Sequence, residues 1–346
     1  MSRYLVRFTP SGEYFFGNEK RLSYGKNDNS ENITYFISGE NSPLQTTLFG
    51  ALRYLLLPEK SFETAGNSAS LIGRKPFIID SGTVQDFGAI RSMSPVFLAK
   101  DDEWFIPTPY DHNRSSDSGV YTPLSDYRKM TTADGEKLYT EQYDSKKGIE
   151  SSCMSLCDGH IERDVFSSSV QIGINRRSDN DGLFKKEYKL LNSGFSFAVI
   201  ADIDAAPELS NQAVLLGQGK SPFSVNMALY TGESLENKAG SIITQARQRV
   251  GVEPDDFVYF ASDFFTDSRL EDIYSRFQFA AVATRDFRSF AVLDSGHVQR
   301  GDCLHRFIKA GSIAIPTDRF DYEPSGKQRN AATIGFNSII LKGVIK

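Results

Sequence analysis

Apolar and polar positions alternate from the start, in Tyr4-Leu5-Val6-Arg7-Phe8, which predicts a half-buried strand. The period then changes. Leu48, Leu52, Leu55 and Leu56 fall at i, i+4, i+7 and i+8, one face of a helix over residues 46–57. Thr46 or Thr47 is the expected N-cap, because a hydroxyl there accepts from an N–H the first turn leaves unpaired. Such an end, with Arg53 on a later turn, suits an anion such as phosphate. An ordinary capped core helix would look the same.

Further along, Tyr35-Phe36-Ile37, Phe77-Ile78-Ile79, Val96-Phe97-Leu98 and Trp104-Phe105-Ile106 read as short strands. Residues 17–32, rich in Gly, Asn, Lys and Ser, read as a loop, and 58–75 as a linker with a weak helical stretch. Residues 111–150 are dominated by Ser, Asp, Gly, Lys and Thr and read as a protruding insertion. Residues 170–176 and 183–191, joined by the turn chemistry of Asp179-Asn180-Asp181-Gly182, predict a hairpin. The near-continuous apolar run 195–202 predicts a central strand covered on both faces. A short helix over 207–216, a strand at 223–230, a helix at 241–250, a strand at 257–265 and a helical stretch at 270–279 follow. Residues 280–283 and 290–292 read as strands, and 310–315 and 333–341 close the chain. Strand, helix and hairpin recur in each half, so the expected class is α+β, with units at 1–192 and 193–346 and an insertion at about 101–160.

Composition narrows the function classes. The 346 residues suffice for two cores, and 12% aromatic content favours strands. No apolar run is long enough to span a bilayer, and Met1-Ser2-Arg3-Tyr4 lacks signal-peptide form. Three cysteines make no disulfide framework, so a reducing cytoplasm is expected. The net charge of −5 argues against a generic nucleic-acid binder. The charge is uneven, however: residues 101–160 hold 12 acidic and 6 basic side chains, while both ends of the chain carry a basic surplus. A basic strip on an acidic protein is therefore permitted.

Chemistry-bearing motifs are sparse. Cys153-x-x-x-Cys157-x-x-His160 is a weak zinc candidate whose fourth ligand would come from Cys303, His305 or His112; a plain polar insertion explains it as well. No nucleophile elbow, complete phosphate-loop lysine motif or dinucleotide fingerprint is present. Three glycine-bearing loops flanked by cations stand out more: Gly217-Gln218-Gly219-Lys220, Lys309-Ala310-Gly311-Ser312 and Ser325-Gly326-Lys327-Gln328-Arg329. Glycine lets backbone approach a phosphate and the cation adds charge, although each loop also serves as a simple turn.

Pro43-x-Gln45-Thr46-Thr47-Leu48-x-Gly50-Ala51-Leu52-Arg53 resembles the first-helix signature of the RAMP proteins of CRISPR systems. Phe15-Phe16-Gly17, Glu162-Arg163, Ile172-Gly173-Ile174-Asn175-Arg176, Gly182-Leu183-Phe184, Leu216-Gly217-Gln218-Gly219-Lys220-Ser221-Pro222-Phe223 and Ala310-Gly311-Ser312 follow in the family's order. Within the superfamily the chain is most similar to the third-subunit family of the type III-B Cmr complex.

That resemblance implies two ferredoxin-like (RRM-like) domains with an inserted β-hairpin thumb, no catalytic activity and no cofactor. It implies a subunit that holds the 5′ repeat-derived handle of the guide RNA (crRNA), near the target RNA. Its expected partners are the large polymerase-bearing subunit and a backbone RAMP subunit, away from any membrane. Carried onto this sequence, the RNA contacts would be Gln45, Thr46, Thr47, Arg53, Gly217, Gln218, Gly219, Lys220, Lys309, Gly311 and Ser312, with Arg163, Arg176 and Arg177 near the thumb. The alternatives are a metal-independent RAMP endoribonuclease, which needs a general acid or base, and the equivalent capping subunit of a type III-A complex.

Overall fold

The structure, a computed structural model, describes residues 1–24, 33–58, 68–116, 118–133, 135–144, 146, 148, 150–175, 182–205, 212–217, 219–288, 290–292, 298–300 and 303–342. It is a mixed α+β fold, rich in sheet. The five helices among these residues are α1 (Gln45–Leu56), α2 (Ala69–Ile72), α3 (Leu235–Val250), α4 (Leu270–Tyr274) and α5 (Gly326–Thr333). None is long and apolar enough to cross a membrane.

Ser2–Pro10 is the strand its alternation predicts. It lies inside a nine-stranded sheet, antiparallel to Phe195–Ile203 on one side and Ser221–Leu229 on the other. The sheet continues from Phe195–Ile203 through Phe97–Lys100 and Glu103–Pro107 to Cys153–Ser155. Both neighbours of Ser2–Pro10 come from beyond residue 192, so the expected division at 192/193 passes through this sheet. One face receives α1: Leu48, Leu52, Leu55 and Leu56 share a buried cluster with Val6, Phe8, Phe197 and Phe223. Each such side chain contributes roughly 1.5–3 kcal/mol by leaving water. The other face, through Phe97, Trp104, Ala198 and Ile200, packs on Leu235, Ala239 and Ile243 of α3. Phe195–Ile203 is thus covered on both sides, as its apolar run requires.

A four-stranded sheet organises the C-terminal part, in the order Phe277–Ala281, Ile313–Pro316, Val258–Phe260, Ile339–Leu341, every neighbouring pair antiparallel. An extension between its second and third strands in the chain, paired through Thr284–Phe287 and His305–Ile308, reaches back into the first core. Phe287 and Phe307 lie there with Phe77 and Phe336. The two halves therefore share buried surface.

Several sequence expectations are corrected. Gly17–Tyr24 is a strand rather than a loop, because Ile33–Gly39 supplies an antiparallel partner. Gln212–Leu216 is a strand rather than a helix: it pairs with Ser221–Leu229, burying Val214 and Leu216 while Ala213 and Leu215 face out. Phe277–Ala281 is likewise strand, so α4 ends earlier than the helical reading of 270–279. Residues 325–329 are the capped start of a helix rather than a free loop: Ser325 and Gln328 form a capping box that opens α5, and Lys327 pairs with Asp267 at 3.6 Å.

The 101–160 segment is not a protrusion. Two of its stretches are strands of the large sheet, and its hairpin, Arg128–Thr132 with Gly135–Tyr139, lies on the C-terminal sheet. Lys137 Nζ donates to Phe277 O at 2.9 Å, and the Tyr127 and Tyr143 rings pack on Phe279. At its root, buried Asp111 accepts from Arg247 Nη1 (2.9 Å) and Tyr121 Oη (2.6 Å), which ties the segment to α3.

Candidate nucleic-acid interface

Residues 39–45 run into the N-terminal end of α1 and form one wall of a cavity of about 350 Å³. That wall is pinned from behind. The Glu40 amide donates to Phe16 O at 2.8 Å, and Tyr14 Oη donates to Asn41 O at 2.6 Å. Across the opening, Asn41 Nδ2 donates to Ser151 Oγ at 2.7 Å. The facing wall brings Asp263, Arg285, Lys309 and Ala310 from the C-terminal half together with Tyr110. Lys309 sits on a turn closed by the Ser312 amide donating to Lys309 O at 3.2 Å. Gly311 in that turn has φ +92°, and a Cβ there would stand 2.6 Å from the Tyr110 ring, so only glycine lets the ring in.

Charge in the cleft is arranged in pairs. Arg285 stands between two carboxylates, with Nη1 2.7 Å from Asp263 and Nη2 2.6 Å from Glu40. Lys309 Nζ lies 4.0 Å from the same Glu40 oxygen. Burial alone would raise the Glu40 pKa, but Arg285, Lys309 and Lys189 outweigh it and hold the carboxyl below its ordinary value. Burial alone would lower that of Arg285; Asp263 and Glu40 instead hold it above the ordinary value, so the guanidinium stays charged. The cleft is lined by three carboxylates, Glu40, Glu150 and Asp263, and two cations, Arg285 and Lys309. Among the described residues, no histidine lines it.

The sequence-derived contacts divide between several places. Gln45 is in the cleft wall but buried, and it acts as a strut: Nε2 donates to Ser94 O and Ile334 O, both at 2.9 Å, while Oε1 accepts from Val96 N at 2.9 Å. Thr46 and Thr47 are half-buried in the first turn, and neither caps the helix. Leu44 is the N-cap, without a side-chain bond. Lys309 is at the opening, whereas Ser312 is fully buried, its Oγ accepting from Ala283 N at 3.2 Å. Arg163 reaches the rim, paired at 2.8 Å with Glu150, which lines the cavity. Arg53 does not join them. It lies eight residues along α1, about 12 Å at the helical rise of ~1.5 Å per residue, with Nη2 donating to Gly73 O at 3.3 Å and its guanidinium over Phe49. Gly217 and Gly219 pack on Phe15, with Lys220 exposed beside them, outside the cavity lining. Arg176, Arg177 and Gln218 lie outside the described residues.

The zinc candidate does not assemble. Among the described residues no group of three or more His, Cys, Asp and Glu side chains gathers to hold a metal ion. Cys153 is buried, which pushes its thiol up to about 12, and His160 is engaged with Asp158 at 2.8 Å. Glu40, Asp263 and Arg285 went unnoticed in the sequence, yet a signal existed. Asp263 interrupts an apolar run and Arg285 follows one after a single threonine, where a lone charge needs a partner.

The sequence model of the CRISPR-associated protein family (Cas_Cmr3) matches residues 13–193, a little over half of the chain. The chain belongs to this family. The resemblance to Cmr-type RAMP proteins read from its motifs therefore stands, and the chain is a Cmr-type CRISPR subunit. No protein of curated function matches it. Two solved structures share the fold of this Cas_Cmr3 family member. One is a chain of type III-B Cmr-beta bound to cognate target RNA and AMPPnP, at 11% identity, covering 98% of each chain with a TM-score of 0.50. The other is a chain of type III-B Cmr-beta bound to cognate target RNA, at 13% identity, covering 97% of this chain and 96% of that one, with a TM-score of 0.51.

Proposed function

We propose that this chain is a non-catalytic RNA-binding subunit of a type III-B CRISPR effector. It would hold the 5′ handle of the guide RNA in the cleft and bridge the large polymerase-bearing subunit to a backbone subunit. One observation carries the reading: the first-helix motif and the Lys309 loop, far apart in sequence, form facing walls of one cavity, with Arg163 at its rim. Half-buried polar groups and a movable lysine suit a single strand held by phosphate contacts and base-edge hydrogen bonds. The chain order of the C-terminal part supports a ferredoxin-like unit there: strand, α4, two strands, α5, strand, with the last strand beside the first. In the N-terminal part, Ser2–Pro10, α1, Phe97–Lys100, Phe195–Ile203 and Ser221–Leu229 occupy the corresponding strand order. Family membership supports the assembly role.

The test is binding of the purified chain to guide RNA with and without its 5′ handle, at two salt concentrations, with EDTA present. Handle-dependent, salt-sensitive binding with intact RNA is expected. Equal affinity for both RNAs would sink the capping role, and cleavage in EDTA would turn the reading toward an endoribonuclease.

A further inference from the structure

We propose that Glu40 is a specificity gate, a built-in anion that stands where a phosphate would meet Lys309 and so disfavours RNA that offers charge alone. The inference rests on the handle-binding reading above.

Among the described residues, Arg285, Lys309 and Lys189 act on Glu40, and they are not equivalent. Arg285 is nearly buried and held at both ends, by Glu40 at 2.6 Å and Asp263 at 2.7 Å. Leaving would break two charge-assisted bonds, so it stays. Lys189 has its own carboxylate, Glu187, at 2.7 Å. Lys309 is 40% exposed, and its approach to Glu40 is 4.0 Å, beyond hydrogen-bond reach. Lys309 is therefore the cation that can turn to an incoming phosphate. Glu40 cannot move aside to make room, because Arg285 grips it and Glu187 Oε2 accepts from the Gly39 amide (3.3 Å) next to it. A phosphate on Lys309 must then sit beside a fixed carboxylate. Like charges so placed repel, and the half-buried setting weakens solvent screening. RNA held by phosphates alone gains little there. A handle that also bonds the polar groups of the wall, among them Asn41 and Ser42, recovers the loss through contacts that depend on its bases.

The experiment compares the full-length parent chain with Glu40→Gln in fluorescence anisotropy over a salt series. The probes are a guide RNA carrying its 5′ handle and an equally long RNA with the handle scrambled. Glu40→Gln keeps the shape at Arg285 and removes the charge. The gate predicts about tenfold tighter binding of the scrambled RNA, the size of one hydrogen bond to a charged group. It also predicts a salt slope steeper by about 0.7, one further single-strand phosphate contact. Handle-bearing RNA gains less, so discrimination falls. A second variant, Lys309→Gln, leaves Arg285 untouched and guards against misfolding of the first. It should weaken handle RNA by a larger factor than scrambled RNA. Equal losses on both RNAs would make Lys309 an open phosphate contact and overturn the gate. So would an unchanged slope and affinity in Glu40→Gln while the parent still discriminates. A parent that does not discriminate overturns the handle reading and the gate together.

Discussion

Two buried arginines show how one physical constraint serves different ends. Arg247 is sealed between α3 and the root of the 101–160 segment, 1% exposed, with one carboxylate, Asp111, that is itself 2% exposed. Its Nη2 donates to Pro254 O and its guanidinium lies over Phe257. Arg285 has two carboxylates and stands in the wall of an open cleft. An arginine removed from water must be paired in either place. At Arg247 the pairing joins two pieces of chain and offers nothing to solvent. At Arg285 it fixes two carboxylates that line a cavity. The two pairs thus differ in whether a partner still faces an opening.

That contrast can be broken most directly by removing each cation. Arg247→Leu leaves Asp111 buried and unpaired, and should cost about 3–5 kcal/mol in urea denaturation. Arg285→Leu should cost less, about 1–3 kcal/mol, because cleft water can reach Glu40 and Asp263. Equal losses would erase the distinction. Gln45→Ala, which strands one amide and two carbonyls in the same cleft wall, is expected to cost about 1–3 kcal/mol.

Acid gives a gentler probe. The Glu40 carboxyl is held below its ordinary value of 4.5, so its stabilising contribution is complete above that pH and disappears as pH falls through the lower folded-state value. Thermal unfolding of Glu40→Gln should accordingly decline less than that of the parent between neutral pH and pH values below 4.5. A parallel decline would show that Glu40 is not held in this way. The smallest effect is expected at Arg53→Ala: about 1 kcal/mol of stability through Gly73 and Phe49, with handle affinity within about twofold of the parent. A large affinity loss there would extend the interface along α1.

Periodicity carried the elements whose partners are implicit in their own pattern. The leucine face of α1, the alternation of Ser2–Pro10 and the two-sided burial of Phe195–Ile203 were all legible. Composition misled where a partner lay far away. Gly17–Tyr24 reads as loop until Ile33–Gly39 pairs with it, and Asp111 reads as the start of a solvated insertion although its arginine lies 136 residues on. The motif around Gln45 lies in the cleft wall, where Gln45 has a structural part. Gln45 is a strut that requires Gly335 beside it, where a Cβ would stand 1.8 Å from its Nε2. Lys309 was legible as a cation on a glycine turn. Its neighbours Glu40 and Arg285 were not, because a buried pair spanning 245 residues leaves only an isolated charge at each end.

The placing of Ser2–Pro10 between Phe195–Ile203 and Ser221–Leu229 also sets a schedule for synthesis. Once synthesised, this strand waits for about two hundred further residues before either edge can be paired, and non-local pairing of this kind is slow to form. Val6 and Phe8 must meanwhile find shelter in transient contacts or a chaperone. A fragment ending at residue 192 would leave that strand with neither of its native neighbours.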